Sequence, residues 1–235
     1  MAPGGVGGVT ATFDAYATDR TDARFTDWLR ARSEPDWTDA VEHRFVHELA
    51  DGTVDDAVFR RYLVQDYAFV WTLTGVFGYA VGQAPTMDAK ASLTGFLGTL
   101  TDEENDYFER SFDALGVSPD ERTDPVPADA TEAFEDLLTR AALEGEYEET
   151  LAVLVPAEWI YLTWATAASG VPEEFYLREW IELHDTSEFE AFVAWLRSEL
   201  DEYGPKLGER RQHRVQRLFC RTVALEIAFF EMAYA

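Results

Sequence analysis

The sequence predicts a single all-α domain, and three observations carry that prediction. Apolar residues recur at spacings of three and four along nearly the whole chain, the pattern of helices that bury one face. Glycines and prolines fall between those runs, where helices stop. Sustained apolar–polar alternation is missing, and the one Asp-Gly pair, Asp51-Gly52, lies between two helical patterns rather than two strand patterns.

Taken in order, residues 1–18 read as a flexible tail, Gly-rich at its start and lacking the basic and apolar regions of a signal peptide; residues 19–235 read as the helical domain. A helix is expected over 35–50, with Trp37, Val41, Phe45, Val46 and Leu49 on one face and Gly52 as its stop. Asp55 opens a long helix to about residue 83, whose stripe includes Phe59, Tyr62, Leu63, Phe69, Val70 and Phe77. Thr86 caps a helix that runs to residue 115, and Gly116 is a left-handed stop. Three prolines make 117–128 a loop before a helix over 129–143. Residues 147–168 are apolar almost all round, so that helix is expected to be buried on most faces, with a kink at Pro156. Helices over 174–183 and 187–203 follow, the second with Ser187 as N-cap and Glu190 completing a capping box. Gly204 and Pro205 break the chain before a last helix over 209–234. No fixed-period repeat and no long linker divides the chain, so one domain is the economical reading.

The charge balance excludes several function classes. Asp and Glu number 45 against 19 Lys and Arg, a formal charge of -26, which repels nucleic acid and anionic lipid. Only Lys90 and Lys206 are lysines, and the acidic, lysine-poor surface reads as one adapted to high salt. No run approaches the roughly 20 apolar residues that span a bilayer. Cys220 is the only cysteine, so no intrachain disulfide can form, and a reducing cytoplasm is expected.

Candidate chemistry begins with carboxylates on apolar faces, because burying one costs several kcal/mol unless it is paired or used. Asp66 sits mid-helix with Tyr62 at i−4 and Phe69 at i+3, so its carboxylate projects between two rings, a frame for a flat heteroaromatic cation or an amidine-like edge. A buried structural Asp bonded to an Arg or Tyr elsewhere fits the spacing equally well. Glu158 lies in the most apolar helix, with Tyr161 three residues on; an ion pair with an arginine is its bland alternative. Glu226 is flanked by Leu225, Ile227, Phe229 and Phe230 and is not easily explained as surface, whereas Glu231 near the chain's end reads as solvated. Together the three suit general acid–base work on a ring, with pKa values raised by burial and like charge.

Metal and cofactor chemistry is not expected. Glu-x-x-His pairs of di-iron helical proteins do not occur. His43 and His47 stand at i and i+4 without a third ligand on their face, which reads as coincidence. A Gly-rich phosphate loop is also missing. Cys220 lies in an apolar helix with no histidine within a turn, and reads as a structural thiol.

Several segments together resemble the TenA/thiaminase II family. They are His43-Arg44-Phe45-Val46-His47-Glu48-Leu49-Ala50-Asp51-Gly52-Thr53-Val54, then Phe59-Arg60-Arg61-Tyr62-Leu63-Val64-Gln65-Asp66-Tyr67, and Val155-Pro156-Ala157-Glu158-Trp159-Ile160-Tyr161 in the middle. Glu179-Trp180-Ile181-Glu182-Leu183-His184 with Glu188-Phe189, and Leu225-Glu226-Ile227-Ala228-Phe229-Phe230-Glu231-Met232-Ala233, complete the ordered set. The resemblance implies a haem-oxygenase-like helical bundle, usually a homotetramer, with a deep pocket for an aminopyrimidine and no haem or metal. It implies that Asp66 binds the amidine side of the ring, that Glu226 serves the reacting centre and that Tyr161 shapes the pocket and helps orient the reacting groups; Tyr62 and Phe69, from their spacing to Asp66, and His184, a candidate for shared acid–base duty or a spacer in a tyrosine's place, are the further expected substrate contacts. Where thiaminase II members carry a nucleophilic cysteine this chain has Ala157, followed by Glu158; Phe69 and His184 stand where tyrosines are common.

The chain therefore resembles the cysteine-lacking branch, which implies attack by water, with Glu158 or Glu226 as the acid–base group. The expected substrate is a formylated or free aminomethylpyrimidine from thiamin breakdown, and the expected product is hydroxymethylpyrimidine. Two alternatives stand beside it: a non-catalytic pyrimidine or thiamin binder with a regulatory role, and a haem protein with His43, His47, His184 or His213 as axial ligand.

Overall fold

In the computed structural model, which describes residues 12–235, the chain forms thirteen α-helices and no strand among the described residues. The first three are α1 (Phe13–Ala17), α2 (Phe25–Arg32) and α3 (Asp36–Val41). They are followed by α4 (Arg44–Ala50), the long α5 (Asp56–Gln83), α6 (Met87–Thr101), α7 (Glu103–Leu115) and α8 (Pro119–Thr123). The C-terminal half comprises α9 (Asp129–Glu144), α10 (Tyr147–Ala167), α11 (Phe175–His184), α12 (Ser187–Tyr203) and α13 (Glu209–Met232). Helix α10 is the axis of the bundle and packs against α13, α12, α9, α5, α11 and α3. Its all-round apolar sequence explains the placement, since Leu151 through Val155 are fully enclosed. No helix of the described residues is long and apolar enough to cross a membrane.

Several boundaries follow the local chemistry read from the sequence. Asp55 accepts from the Ala57 N–H at 2.8 Å to start α5, and Thr86 accepts from Ala89 at 3.1 Å to start α6. Gly52 and Gly116 hold φ of 66° and 67°, the left-handed conformation that ends a helix.

Other boundaries differ from expectation, each for a local reason. The helix expected over 35–50 is two, because His43 adopts an extended conformation and its Nδ1 accepts from the Phe45 N–H at 3.1 Å, capping α4. The helix expected over 86–115 breaks at Asp102, a poor interior helix former, where φ and ψ are -118° and -76°. Helix α12 is capped by Thr186, which accepts from the Phe189 N–H at 3.0 Å, and not by Ser187, whose hydroxyl donates to Glu188. The loop expected over 117–128 contains α8, with Pro119 in its first turn and a capping box of Ser118 and Glu121. Of the expected tail, residues 1–11 lie outside the described residues. The rest is tied down: Thr12 caps α1, and the Phe13 ring meets those of Phe25 and Trp28 at 5.2 and 6.0 Å.

That aromatic cluster leaves no room beside Gly204, which opens a short 3-10 turn after α12. A Cβ there would come within 2.4 Å of Phe25 Cδ1, and Phe25 is fully buried and hemmed in by Phe13 and Trp28. Gly204→Ala is expected to cost about 1–3 kcal/mol and to lower Tm by roughly 2–10 °C. Calorimetry checks this, and an unchanged Tm would contradict the packing described.

Candidate active site

Helices α5, α6, α7, α10, α11, α12 and α13 enclose a cavity of about 580 Å³. Four carboxyl groups line it: Asp66 from α5, Glu104 from α7, Glu158 from α10 and Glu226 from α13. Their residues are 2%, 9%, 6% and 1% exposed, so all four are withdrawn from bulk water. No lysine or arginine lines the cavity among the described residues, and none of the four acids forms an ion pair there. Asp66 Oδ2 and Glu226 Oε1 are buried without a hydrogen-bond partner. Of the partners left open by the sequence, an Arg for Asp66 or Glu158 is not found among the described residues, whereas a Tyr for Asp66 is: the Tyr62 hydroxyl acts on its carboxyl.

The electrostatics follow from this geometry. Burial pushes the Asp66 carboxyl well above its usual range, the charge of Glu104 adds to the rise, and the Tyr62 hydroxyl partly offsets it. Glu158 is raised by burial and then by Glu104 and Asp66; Glu226 is raised by burial and then by Asp66 and Glu158. Burial alone lifts Glu104 to about 8. His184 goes the other way: burial lowers it to about 4, so at neutral pH its ring is uncharged. The Trp180 carbonyl, 2.8 Å from Nδ1, can only accept, which puts the proton on Nδ1 and leaves Nε2 as an acceptor.

Aromatic walls complete the cavity. Phe69 lines it and packs against Phe134 and Phe229 at ring distances of 4.5 and 5.7 Å. Tyr161 lines it from α10, its ring 4.9 Å from that of His184 and tilted 43° to it. Ala157 also opens onto the space. Six of the seven expected site residues thus face one cavity: Asp66, Phe69, Glu158, Tyr161, His184 and Glu226. Tyr62 does not. Expected as a ring contact, it is fully buried behind the wall, among Phe45, Phe59 and Trp180, with its hydroxyl 2.7 Å from that of Tyr161. One turn below Asp66, its side chain meets the core formed by α4 and α11 before it can reach the cavity.

Glu104 was missed. It stands in the run Asp102-Glu103-Glu104-Asn105-Asp106, which reads as solvated surface. The available signal was its spacing to Tyr107, Phe108, Ser111 and Phe112, which places it on the buried face of α7.

The remaining reactive candidates have structural uses. His43 caps α4, and its Nε2 lies 3.0 Å from Glu231, which is largely solvated as expected. Cys220 is partly buried, its Sγ 3.4 Å from Ser33 Oγ, and burial raises its thiol pKa.

Known proteins are similar to this chain in sequence and in fold. An aminopyrimidine aminohydrolase of Halalkalibacterium halodurans is 25% identical over 213 residues, spanning 89% of this chain and 95% of that protein. One of Helicobacter pylori is 24% identical over 212 residues, spanning 89% and 98% respectively. The solved structure of a TenA homologue from P. horikoshii OT3 superposes with a TM-score of 0.80 at 26% identity, covering 90% of this chain and 99% of that one. The TENA/THI-4/PQQC family model matches residues 30–235, nearly the whole helical domain, and the chain belongs to that family.

Proposed function

We propose that this chain is an aminopyrimidine aminohydrolase that releases hydroxymethylpyrimidine from aminopyrimidine products of thiamin breakdown. The observation that carries the reading is a cavity lined by four buried carboxyl groups and no protein cation among the described residues. Its volume falls within the roughly 300–1,000 Å³ usual for small-molecule sites. Such a cavity is complementary to a flat ligand rich in N–H donors. The relatives that carry the name aminopyrimidine aminohydrolase, matched over most of their length, support the same assignment.

In this reading Asp66 accepts from the protonated ring nitrogen and the exocyclic amine together, a bidentate charge-assisted pair. Phe69 and Tyr161 frame the ring, and Tyr62 holds the Tyr161 hydroxyl in place. Glu158 and Glu226 repel each other's charge, so one stays protonated while the other ionises. The ionised one takes a proton from water as the C–O bond forms at the ring's methylene carbon. The protonated one gives its proton to the departing nitrogen as the C–N bond breaks. Ala157 offers no nucleophile, so water attacks directly; the free Nε2 of His184 can accept a hydrogen bond from it. Each proton transfer contributes about 10²–10⁴ in rate.

The assembly is read as a homotetramer in the cytoplasm. Trp71 and Tyr79 on α5, 81% and 50% exposed, support contacts between copies.

Product analysis by mass spectrometry tests the function, with thiamin, aminomethylpyrimidine and its N-formyl derivative as substrates. Hydroxymethylpyrimidine is expected from at least one of the pyrimidines. Tight binding without conversion of any would replace the enzyme by a non-catalytic pyrimidine binder.

A further inference from the structure

We propose that the groove between α9 and α13 is a second ligand site, which takes a diphosphate-bearing small molecule on Arg140, Arg214, Arg217 and Arg221. The inference is independent of the hydrolase reading, because the groove and the carboxyl-lined cavity share no lining residue.

The site stands out from the charge pattern of the rest of the chain. Acids outnumber cations by 45 to 19, and eight arginines are ion-paired among the described residues. The four arginines of the groove are not. Arg140, Arg217 and Arg221 make no hydrogen bond or ion pair among the described residues, and Arg214 donates only to the Glu144 carbonyl, at 3.2 Å. One carboxylate, that of Glu144, lines the groove with them. Cations grouped in this way repel one another, and an anion shared between them turns that repulsion into attraction.

Helix geometry sets the shape of the anion. Arg214, Arg217 and Arg221 recur at three and four along α13, so they form a row on one face, about 10 Å from first to last. Arg140 lines the groove from α9, which packs directly against α13. The bond from Arg214 to Glu144, the last residue of α9, braces that guanidinium across the groove. The enclosed volume is about 820 Å³, and Gln216 adds an amide donor. Each guanidinium presents a planar fork that pairs with two phosphate oxygens. Two linked phosphate groups let several members of the row bind in this way at once.

Other occupants fit less well. Leu137 and Ala141 at the base are 3% and 1% exposed, which leaves little apolar area for a docked helix to cover. A long polyanion would run onto the acidic surface beyond the arginines. A small one stays within the roughly 10 Å over which exposed charges act at 0.1 M salt. The cavity, with its four acids, repels the same molecule, so the groove's ligand is not the cavity's substrate.

Calorimetric titration of the full chain with pyrophosphate and with orthophosphate tests the site. One pyrophosphate is expected per chain, bound more tightly than orthophosphate. Arg217 is exposed, so its replacement leaves the fold intact. Arg217→Gln is expected to raise the pyrophosphate Kd roughly 10- to 100-fold, and Arg217→Lys, which keeps the charge without the fork, to raise it less. Arg221→Gln is an independent removal with the same expected loss. Arg44→Gln takes an equal charge from the exposed face of α4 and is expected to leave Kd nearly unchanged. Equal affinity for the two anions, or a Kd that Arg217→Gln and Arg221→Gln do not move, would mean an adventitious ion only and overturn the proposal. Absence of pyrophosphate binding to the wild type overturns it as well; if Arg217→Glu then also lowers the assembly size in gel filtration, the groove is an interface between copies instead.

Discussion

Glu226→Gln is expected to lower kcat on the aminopyrimidine substrate by about 10²–10⁴, while the dissociation constant for the hydroxymethyl product changes only a few-fold. Glutamine keeps the shape of glutamate and its capacity for hydrogen bonds, but it can neither take a proton from water nor deliver one to nitrogen. Glu226 is positioned for that traffic. It is 1% exposed on the apolar face of α13, its Oε1 has no hydrogen-bond partner among the described residues, and burial with the nearby acids raises its pKa. Asp66→Asn supplies the contrast. The amide would put an N–H against the ring's own donors, so this variant is expected to lose affinity first, seen as a raised KM and product Kd. Calorimetric titration and steady-state kinetics on the two variants separate the roles. Wild-type turnover by Glu226→Gln would remove it from the chemistry.

How much of this was legible in the sequence depended on contrast. Asp66, Glu158 and Glu226 could be found because each is a lone acid on an apolar helix face, where burial without a purpose is costly. Their convergence could not be read from spacing, since it depends on α10 packing between α5 and α13. The resemblance to a known family supplied that expectation instead. Glu104 had no contrast, being one acid among several in a chain with 45 of them, and only the aromatic spacing of α7 marks it. Tyr62 shows the opposite failure. Sharing a face with Asp66 put it near the site, but a helix face spans more than a cavity mouth, and its ring belongs to the layer beneath.

The helix breaks were hidden for a related reason. His43 and Asp102 carry side chains that serve equally in a helix or beside one, and tertiary packing decides between them. The cap of α12 moved by one residue because Thr186 and Ser187 offer the same hydroxyl.

The same carboxyl cluster sets an expected dependence of stability on pH. Glu104 titrates at about 8 in the folded chain against an ordinary value of 4.5, and Asp66, Glu158 and Glu226 are displaced in the same direction. Between those limits the folded state binds more protons than the unfolded state, so stability is full below about pH 4.5 and falls as pH rises toward 8. His184 has the opposite sign. Lowered from 6.5 to about 4, it takes up its proton more readily when unfolded, and stability falls as pH drops through that window.

Four raised acids outweigh one lowered histidine across the window they share, so Tm is expected to decline from pH 5 toward pH 8. Surface repulsion from the charge of -26 also grows with pH, so the variant-minus-wild-type difference at high salt isolates the cavity. Glu104→Gln and Glu226→Gln each remove a buried charge without emptying volume. Both are expected to raise Tm at pH 8 by roughly 5 °C or more, with a much smaller gain at pH 5. Equal shifts at the two pH values would mean that these groups do not titrate as their burial demands. If the expectation holds, Glu226→Gln yields a protein that is more stable and nearly inactive, as required when a site keeps unpaired acids buried for proton transfer rather than for the fold.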